Sequence, residues 1–568
     1  MARFLKSEAL SITRRSTLVG LAATGLLGVL PGRALARTLP ENPVFPHGVA
    51  SGDPDATSVV LWTQVTAEGE TEIRCQIARD PEFSGILREE TLRTGPERDY
   101  TVKLLAAGLD PGGIYYYRFL LGEAFSAVGR ARTLPTGSLE RLGIALASCS
   151  NYAFGFFNAY DAIASDPEVD FVLHTGDYIY EYGQDGWGDD VAQKLGRRHE
   201  PPHEIVSLAD YRRRHAQYKS DAGSQAMHAA HTLLACWDDH ESANNPWTGG
   251  AQNHQPETEG DWAARREASI RAYYEWMPVR EPGPGRTRAQ FWRDYSFGDL
   301  ATLFTLETRH TARAKQIDYE DSADKLTSAE AVARFRAEVL DEEGRHMLAP
   351  ELDADLAAAL SRSVRGGQPW RLIGNPMPIA RTDVPDVVAL GILPDPFAAE
   401  PPFEGDALQA AQALAWKGKW NLPFYPDTWD GYPWARERLY ELSRGAGAGD
   451  LIFLTGDSHS FWANSLKDSA GRPAGLELGT AGISSPGDFM ASGFGAEISR
   501  KLDTAFSAHV PEVEWTDNMH QGYVRLDLAR EAGQASFVAI DTVLSPAYRT
   551  LILKRMGIVR EDGAVAFV

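Results

Sequence analysis

Four short apolar runs, far apart along the chain, each end in a side chain able to bind a metal ion. They are Leu142-Gly-Ile-Ala-Leu-Ala-Ser-Cys149, Asp170-Phe-Val-Leu-His-Thr-Gly-Asp177, Thr232-Leu-Leu-Ala-Cys-Trp-Asp-Asp239 and Leu451-Ile-Phe-Leu-Thr-Gly-Asp457. Ala301-Thr-Leu-Phe-Thr-Leu-Glu-Thr-Arg309 and Trp370-Arg-Leu-Ile-Gly-Asn375 follow the same pattern. A continuous apolar run of this length reads as a strand buried on both faces. Helical stretches separate the runs. In Ser207-Leu-Ala-Asp-Tyr-Arg-Arg-Arg-His-Ala-Gln-Tyr218, Ser207 is a natural N-cap and Asp210 sits in the first turn. Buried strands alternating with helices predict a layered α/β domain, whose ligand site gathers beyond the carboxyl ends of the strands.

The 568 residues are too many for one core. Before the α/β region, residues 44–135 read as short strands between turns such as Gly52-Asp-Pro54 and Asp110-Pro-Gly-Gly113. Ser58–Val65, Glu72–Ile77 and Ile114–Leu121 are the clearest strands, and Ile73, Cys75 and Ile77 share one face. Such spacing predicts a small immunoglobulin- or fibronectin-like β-sandwich. The α/β unit is expected over 141–545, with a C-terminal tail or helix over 546–568. Residues 1–36 read as an address instead of a fold. Arg14-Arg15 precede a short Gly-broken apolar stretch, and Ala34-Leu35-Ala36 offers a cleavage site. The segment looks like a twin-arginine export signal, which predicts the translocase as a transient partner and a periplasmic or secreted destination.

Composition excludes several classes. No run reaches the ~20 apolar residues of a membrane-spanning helix, so no stable membrane anchor is expected. A formal net charge of −22 argues against nucleic acid as a partner. Three Cys rule out a disulfide framework.

The strand tips carry the chemistry. Asp177, in Gly176-Asp177-Tyr178-Ile179-Tyr180, has two oxygens that could bridge two cations. Tyr180 lies within reach, and a phenolate ligand favours trivalent iron because free Tyr has a pKa of about 10. Trp237-Asp238-Asp239-His240-Glu241 sets carboxylates and an imidazole at one tip, although it also reads as an N-cap cluster. In Gly456-Asp457-Ser458-His459, Asp457 and His459 point the same way if the chain stays extended. Cys149 is either a thiolate ligand, a buried thiol or a disulfide partner of Cys236.

In this order, the motifs resemble those of the alkaline phosphatase D (PhoD-like) family of calcineurin-like metallophosphoesterases. The carriers are His47–Pro54, Ser148-Cys149, His174–Glu181, Trp237–Glu241, Trp429–Tyr432 and Gly456–His459, with weaker support from Met277-Pro278, Ser485–Gly487 and Gly522-Tyr523. The resemblance covers nearly all of the chain after residue 36. It implies a core of two packed sheets flanked by helices. It also implies a site holding Fe3+ and Ca2+, with Cys149, Asp177, Tyr180 and His459 on the iron side. Asp239 and Asp457 stand where related purple acid phosphatases have asparagine and histidine, so the second ion would see mainly oxygen, which suits calcium.

The expected activity is hydrolysis of phosphate mono- or diesters by a metal-bound hydroxide. His240 is the candidate for contacting phosphate or protonating the leaving group, and Arg309 and Asn375 for holding phosphate oxygens. Glu307-Thr308-Arg309 and Asn375-Pro376-Met377 depart from the family's usual Asp-Thr-Arg and Asn-Gln-Val, which leaves the ester preference open. Rival readings are a phospholipase-D-like phosphodiesterase on lipid or cell-wall diesters, and an exported binding protein without catalysis. A Ser hydrolase is disfavoured because no Gly-x-Ser-x-Gly elbow with a suitable His is present.

Overall fold

The computed structural model describes residues 34–35, 42–561 and 563–568. Nearly all of the export segment lies outside the described residues; its Ala34–Leu35 pair antiparallel with Tyr548 and Ala547. None of the described helices is long and apolar enough to cross a membrane.

Two large sheets form the centre. One has ten strands, in the order Ala564–Phe567, Thr550–Glu561, Ala532–Ile540, Gln521–Ala529, Arg141–Ala147, Phe171–His174, Thr232–Ala235, Val49–Gly52, Ser58–Gln64 and Thr101–Ala107. The other has seven, in the order Asp294–Phe297, Ala301–Thr305, Trp370–Asn375, Leu451–Thr455, Pro473–Gly479, Phe461–Lys467 and Val513–Asp517. The apolar runs read from the sequence are the parallel strands at the middle of each sheet. Such strands are buried on both faces, which is why they carry no polar alternation.

Leu146, Leu173 and Leu234 of one sheet meet Leu303, Leu372 and Leu454 of the other in a shared core. Helices cover the outer faces. Leu208–Lys219 and Trp262–Trp276 pack on the ten-stranded side, and Pro350–Arg365 and Pro433–Gly445 on the seven-stranded side. Ser207 caps the first of these by accepting from Asp210 N, and Asp210 returns a bond to the Ser207 backbone, a capping box.

The N-terminal unit is a β-sandwich of Val49–Gly52, Ser58–Gln64 and Thr101–Ala107 against a five-stranded sheet that includes Thr71–Ala78 and Ile114–Leu121. Its first layer is not separate. Val49–Gly52 pairs in parallel with Thr232–Ala235, through Ser51 opposite Thr232, so the sandwich extends the ten-stranded sheet. Alternation along single strands cannot disclose such a join, because pairing partners lie far away in sequence. Where residues 546–568 are expected as a tail or helix, Ala547–Tyr548, Thr550–Glu561 and Ala564–Phe567 are strands instead. Thr550–Glu561 pairs antiparallel with Ala532–Ile540, and Ala564–Phe567 pairs with it in turn as the edge of the large sheet. All three cysteines are free and buried, so Cys149 and Cys236 form no disulfide.

Lys219, at the end of its helix, is 1% exposed. Its ammonium donates to the Tyr178 hydroxyl at 3.1 Å and lies 4.8 Å from the Trp62 ring centroid. Burial pulls its pKa down to about 7, against about 10.4 in an unfolded chain. The unfolded chain then holds a proton that the folded one lacks, so this group's penalty shrinks as pH rises from 7 towards 10. We predict that Lys219→Met is more stable than wild type near pH 7. The gap should narrow by about 1 kcal/mol per pH unit on raising the pH, as read from urea unfolding of both proteins. A gap constant with pH would show that Lys219 stays charged inside.

Candidate metal centre

Four strand ends meet in one place. Cys149 follows Arg141–Ala147, Asp177 follows Phe171–His174, Asp238 to Glu241 follow Thr232–Ala235, and Asp457 and His459 follow Leu451–Thr455. The first three strands are parallel neighbours in one sheet, and the fourth comes from the facing sheet. Ligand-capable atoms of Cys149, Asp177 and His459 lie within 4.8 Å of one another; so do those of Asp177, Asp239 and His240, and those of Asp177, Asp238, Asp239 and Asp457. Asp177 belongs to all three groups and is thereby their hinge.

Backbone conformation sets this convergence. Cys149, Asp177, Asp457 and His459 have φ of 60°, 55°, 64° and 54°, the left-handed region that non-glycine residues rarely adopt. Such positions cost on the order of 1–3 kcal/mol each and gather at functional sites. Two glycines permit the close approach of the loops. A Cβ at Gly176 would lie 2.4 Å from Asp238 Cβ, and one at Gly456 would lie 2.2 Å from Ser148 Oγ. Both Gly-Asp pairs therefore have a steric origin: the Asp can face its neighbours because the Gly has no side chain between the loops.

The thiol of Cys149 is 3.3 Å from Asp177 Oδ2, and the Tyr180 hydroxyl is 3.3 Å from that same oxygen. Tyr180 OH also lies 3.1 Å from His459 Nε2 and 2.9 Å from Ser485 Oγ. One side of Asp177 thus presents sulfur, phenol oxygen and imidazole nitrogen. The other side presents carboxylates. Glu241 braces both, since its carboxylate accepts from the backbone N–H groups of Asp177, Tyr178 and Asp238.

His240 is held firmly. Its ring stacks on Tyr180 with centroids 4.2 Å apart. Its Nδ1 is 2.6 Å from Glu181 Oε2, and the other oxygen of Glu181 accepts from Asn244 N and Asn253 Nδ2, each at 2.8 Å. Nε2 is left on the side of Asp239, 4.0 Å from Oδ2.

Arg309 and Asn375, the candidates for phosphate contact, are both engaged by partners within the protein. Arg309 is fully buried; its Nε donates to Asp238 at 2.5 Å and its Nη1 to Asp427 at 2.7 Å. Its Nη2 has no hydrogen-bond partner and stands 3.8 Å from Asp239 and 3.7 Å from Asp457. The guanidinium is a counter-charge inside the acidic cluster. Asn375 donates to Met377 O at 2.6 Å and accepts from Trp429 Nε1 at 3.2 Å, so its amide is committed within the fold.

Electrostatics leave the cluster short of positive charge. Burial, and then Asp239, push the Asp177 carboxyl well above its usual range. Burial likewise raises Asp238 to about 6, while burial and Asp177 hold the Cys149 thiol far above its ordinary value. Asp238 Oδ2 and Asp239 Oδ1 are buried without a hydrogen-bond partner. Buried charges need partners, and one arginine cannot serve four carboxylates. Cations supply what is lacking, so the donor set fits metal ions. Sequence reasoning passed over Asp238, Glu181 and Glu241 as individual actors. Their motif was visible, but which of its acids braces and which faces the ions depends on loop geometry.

The cavity above is lined in part by Tyr182, Trp187, His240 and His459. It gives the cluster access to solvent.

Comparison with known proteins agrees with the site. Residues 144–537 match the model of the family described as PhoD-like phosphatase, and residues 32–135 that of the PhoD-like phosphatase N-terminal domain. The chain is 30% identical over 529 residues to alkaline phosphatase D of Bacillus subtilis (strain 168), covering 88% of this chain and 78% of that protein. A solved structure described as the structure of PhoD superposes with a TM-score of 0.73 at 27% identity, over 94% of this chain and 93% of that one.

Gly456→Ala tests the steric account. Its Cβ must displace the Ser148 hydroxyl and Thr175 Oγ1, 2.7 Å away. The variant is expected to keep its far-ultraviolet circular dichroism yet retain much less bound metal by elemental analysis. Wild-type metal content would refute the close-approach argument.

Proposed function

This chain belongs to the PhoD-like phosphatase family and is a phosphoric ester hydrolase, and from that premise we propose that its catalytic centre is the cluster around Asp177. The observation that carries the reading is the meeting of Cys149, Tyr180, Asp238, Asp239, His240, Asp457 and His459 around one buried carboxylate, Asp177. We assign Cys149, Asp177, Tyr180 and His459 to Fe3+, and Asp177, Asp239 and Asp457 to Ca2+, with Asp238 as a further oxygen donor. Thiolate, phenolate and imidazole suit iron, whereas an all-carboxylate side suits calcium. Ions held here supply the positive charge that attracts a phosphate ester to an acidic protein, and the Lewis acidity that makes water a nucleophile near neutral pH.

The chain's own residues do the rest. Asp177 holds both halves of the centre in register. Arg309 keeps Asp238, Asp239 and Asp457 from spreading apart, and acts on phosphate only through them. His240, fixed at Nδ1 by Glu181, turns Nε2 towards the ester, where it contacts a phosphate oxygen or protonates the departing alcohol. Asn375 shapes the turn after its strand.

The substrate is a phosphate mono- or diester. A phospholipase-D-like preference for diesters is the second reading, supported by the altered Asn375-Pro376-Met377 segment, where Pro376 has no backbone donor. We further propose residues 44–135 as the N-terminal β unit and 141–545 as the catalytic unit, with export to the periplasm or medium by the twin-arginine translocase. That route suits a protein that folds around its metal before leaving the cytoplasm.

Protein isolated with iron is expected to show a visible tyrosinate-to-iron absorption band, and Tyr180→Phe to lose it. An unchanged band in that variant removes Tyr180 from the iron shell. Asp177→Asn is expected to lose metal and at least 100-fold in kcat together. Full metal content with full activity in Asp177→Asn would sink the assignment of the centre. Anomalous scattering from crystals of the metal-loaded protein identifies each ion.

A further inference from the structure

The cavity above the centre measures about 520 Å³, within the ~300–1,000 Å³ range of small-molecule sites. A phosphoryl group fills only a small part of it. Because the cavity touches both His240 and His459, an ester bound at the centre directs its organic part into this space.

The walls differ in chemistry. On one side stand Tyr182 and Trp187, both half-buried. Trp187 stacks over His459, with centroids 5.4 Å apart and planes 17° from parallel. Phe154 supports the indole edge-on at 4.6 Å, and Tyr182 meets it at 6.3 Å and 74°. The aromatic wall is thus preset before any ligand arrives. Asn244 and Asn253 line another part of the cavity. Tyr182 OH donates to Asn244 Oδ1 at 3.4 Å, joining the two parts.

Charge narrows the occupant further. No Lys or Arg is among the lining residues, and Asp185 adds an acid at the rim. The Arg198 guanidinium beside it is already paired with Asp185 at 3.5 Å and with Asp189 at 2.8 Å, so a second anionic group would meet a carboxylate and no uncommitted cation among the lining residues. An uncharged ring would find the indole of Trp187 and the ring of Tyr182 to pack against.

We propose that Trp187 and Tyr182 form a leaving-group subsite that selects phosphate esters whose organic part is an uncharged ring. This inference rests on the phosphate-ester reading given above and adds the chemical class of the ester. Trp187 is its specificity-determining residue: it touches the leaving group, and the phosphoryl group stays with the centre below.

The test compares benzyl with ethyl phosphate, and benzyl methyl with ethyl methyl phosphate, on the metal-loaded full chain. Both alcohols are primary and of similar acidity, so the ring is the main variable. Wild type is expected to favour the benzyl ester in kcat/KM. Trp187→Ala should lose at least tenfold on the benzyl ester and less than threefold on the ethyl ester. Trp187→Phe should keep most of the preference. Since Trp187 also covers His459, metal content is measured in every variant. Trp187→Leu, which keeps apolar bulk without the indole, should show the same selective loss at full metal. Equal losses on both esters would mean that Trp187 acts only through His459, and no loss would mean that the ring does not touch it; either result overturns the subsite. Failure of metal-loaded wild type to hydrolyse any of these esters would instead overturn the phosphate-ester reading, and the subsite with it.

Discussion

Everything at this centre depends on holding four carboxylates, Asp177, Asp238, Asp239 and Asp457, within a few ångströms of each other. Like charges so close repel, and burial raises the penalty by several kcal/mol per ion unless partners are found. Arg309 is one such partner and His240 another. They do not suffice, which is why Asp177 resists ionisation and two buried oxygens have no donor. An acidic cluster of this kind is stable only around cations. The same deficit of positive charge that destabilises the cluster suits it to metal ions.

The fold makes that crowding affordable by rigidity. Two sheets packed through Leu146, Leu173, Leu303 and Leu454 fix the positions of the strand ends. Beyond those ends the backbone turns sharply, with left-handed residues at Cys149, Asp177, Asp457 and His459. Glu241 ties two of the loops together through three backbone donors. Joining the N-terminal sandwich to the Thr232–Ala235 strand through Val49–Gly52 further anchors the loop that carries Asp238 to Glu241.

Much of the site was legible because its parts are short and local. A buried strand shows as an apolar run, and the residue at its tip follows directly. Cys149, Asp177, Tyr180, Asp239, Asp457 and His459 were all visible in this way, and the structure brings them to one place. Arg309 and Asn375 were visible as strand-end residues too, but their partners were not. Arg309 meets Asp427, 118 positions away, and Asn375 meets Trp429, 54 positions away. Glu181 read as part of a motif, while its grip on His240 required two loops to fold against each other. Strand formation by Thr550–Glu561 went unseen for a related reason: its alternation is weak, and its place is set by Ala532–Ile540.

Local sequence alone settles the layered α/β class, which strand ends carry ligand-capable residues and the donor types available, since apolar periodicity and residue chemistry are local properties. Tertiary structure decided which acids come within reach of one another, which one is a brace, that Arg309 pairs with carboxylates, and that an aromatic wall overlooks the centre. Those outcomes are distances between loops from different strands and different sheets. Coulomb energy and hydrogen bonding depend on such distances, and no spacing along the chain encodes them.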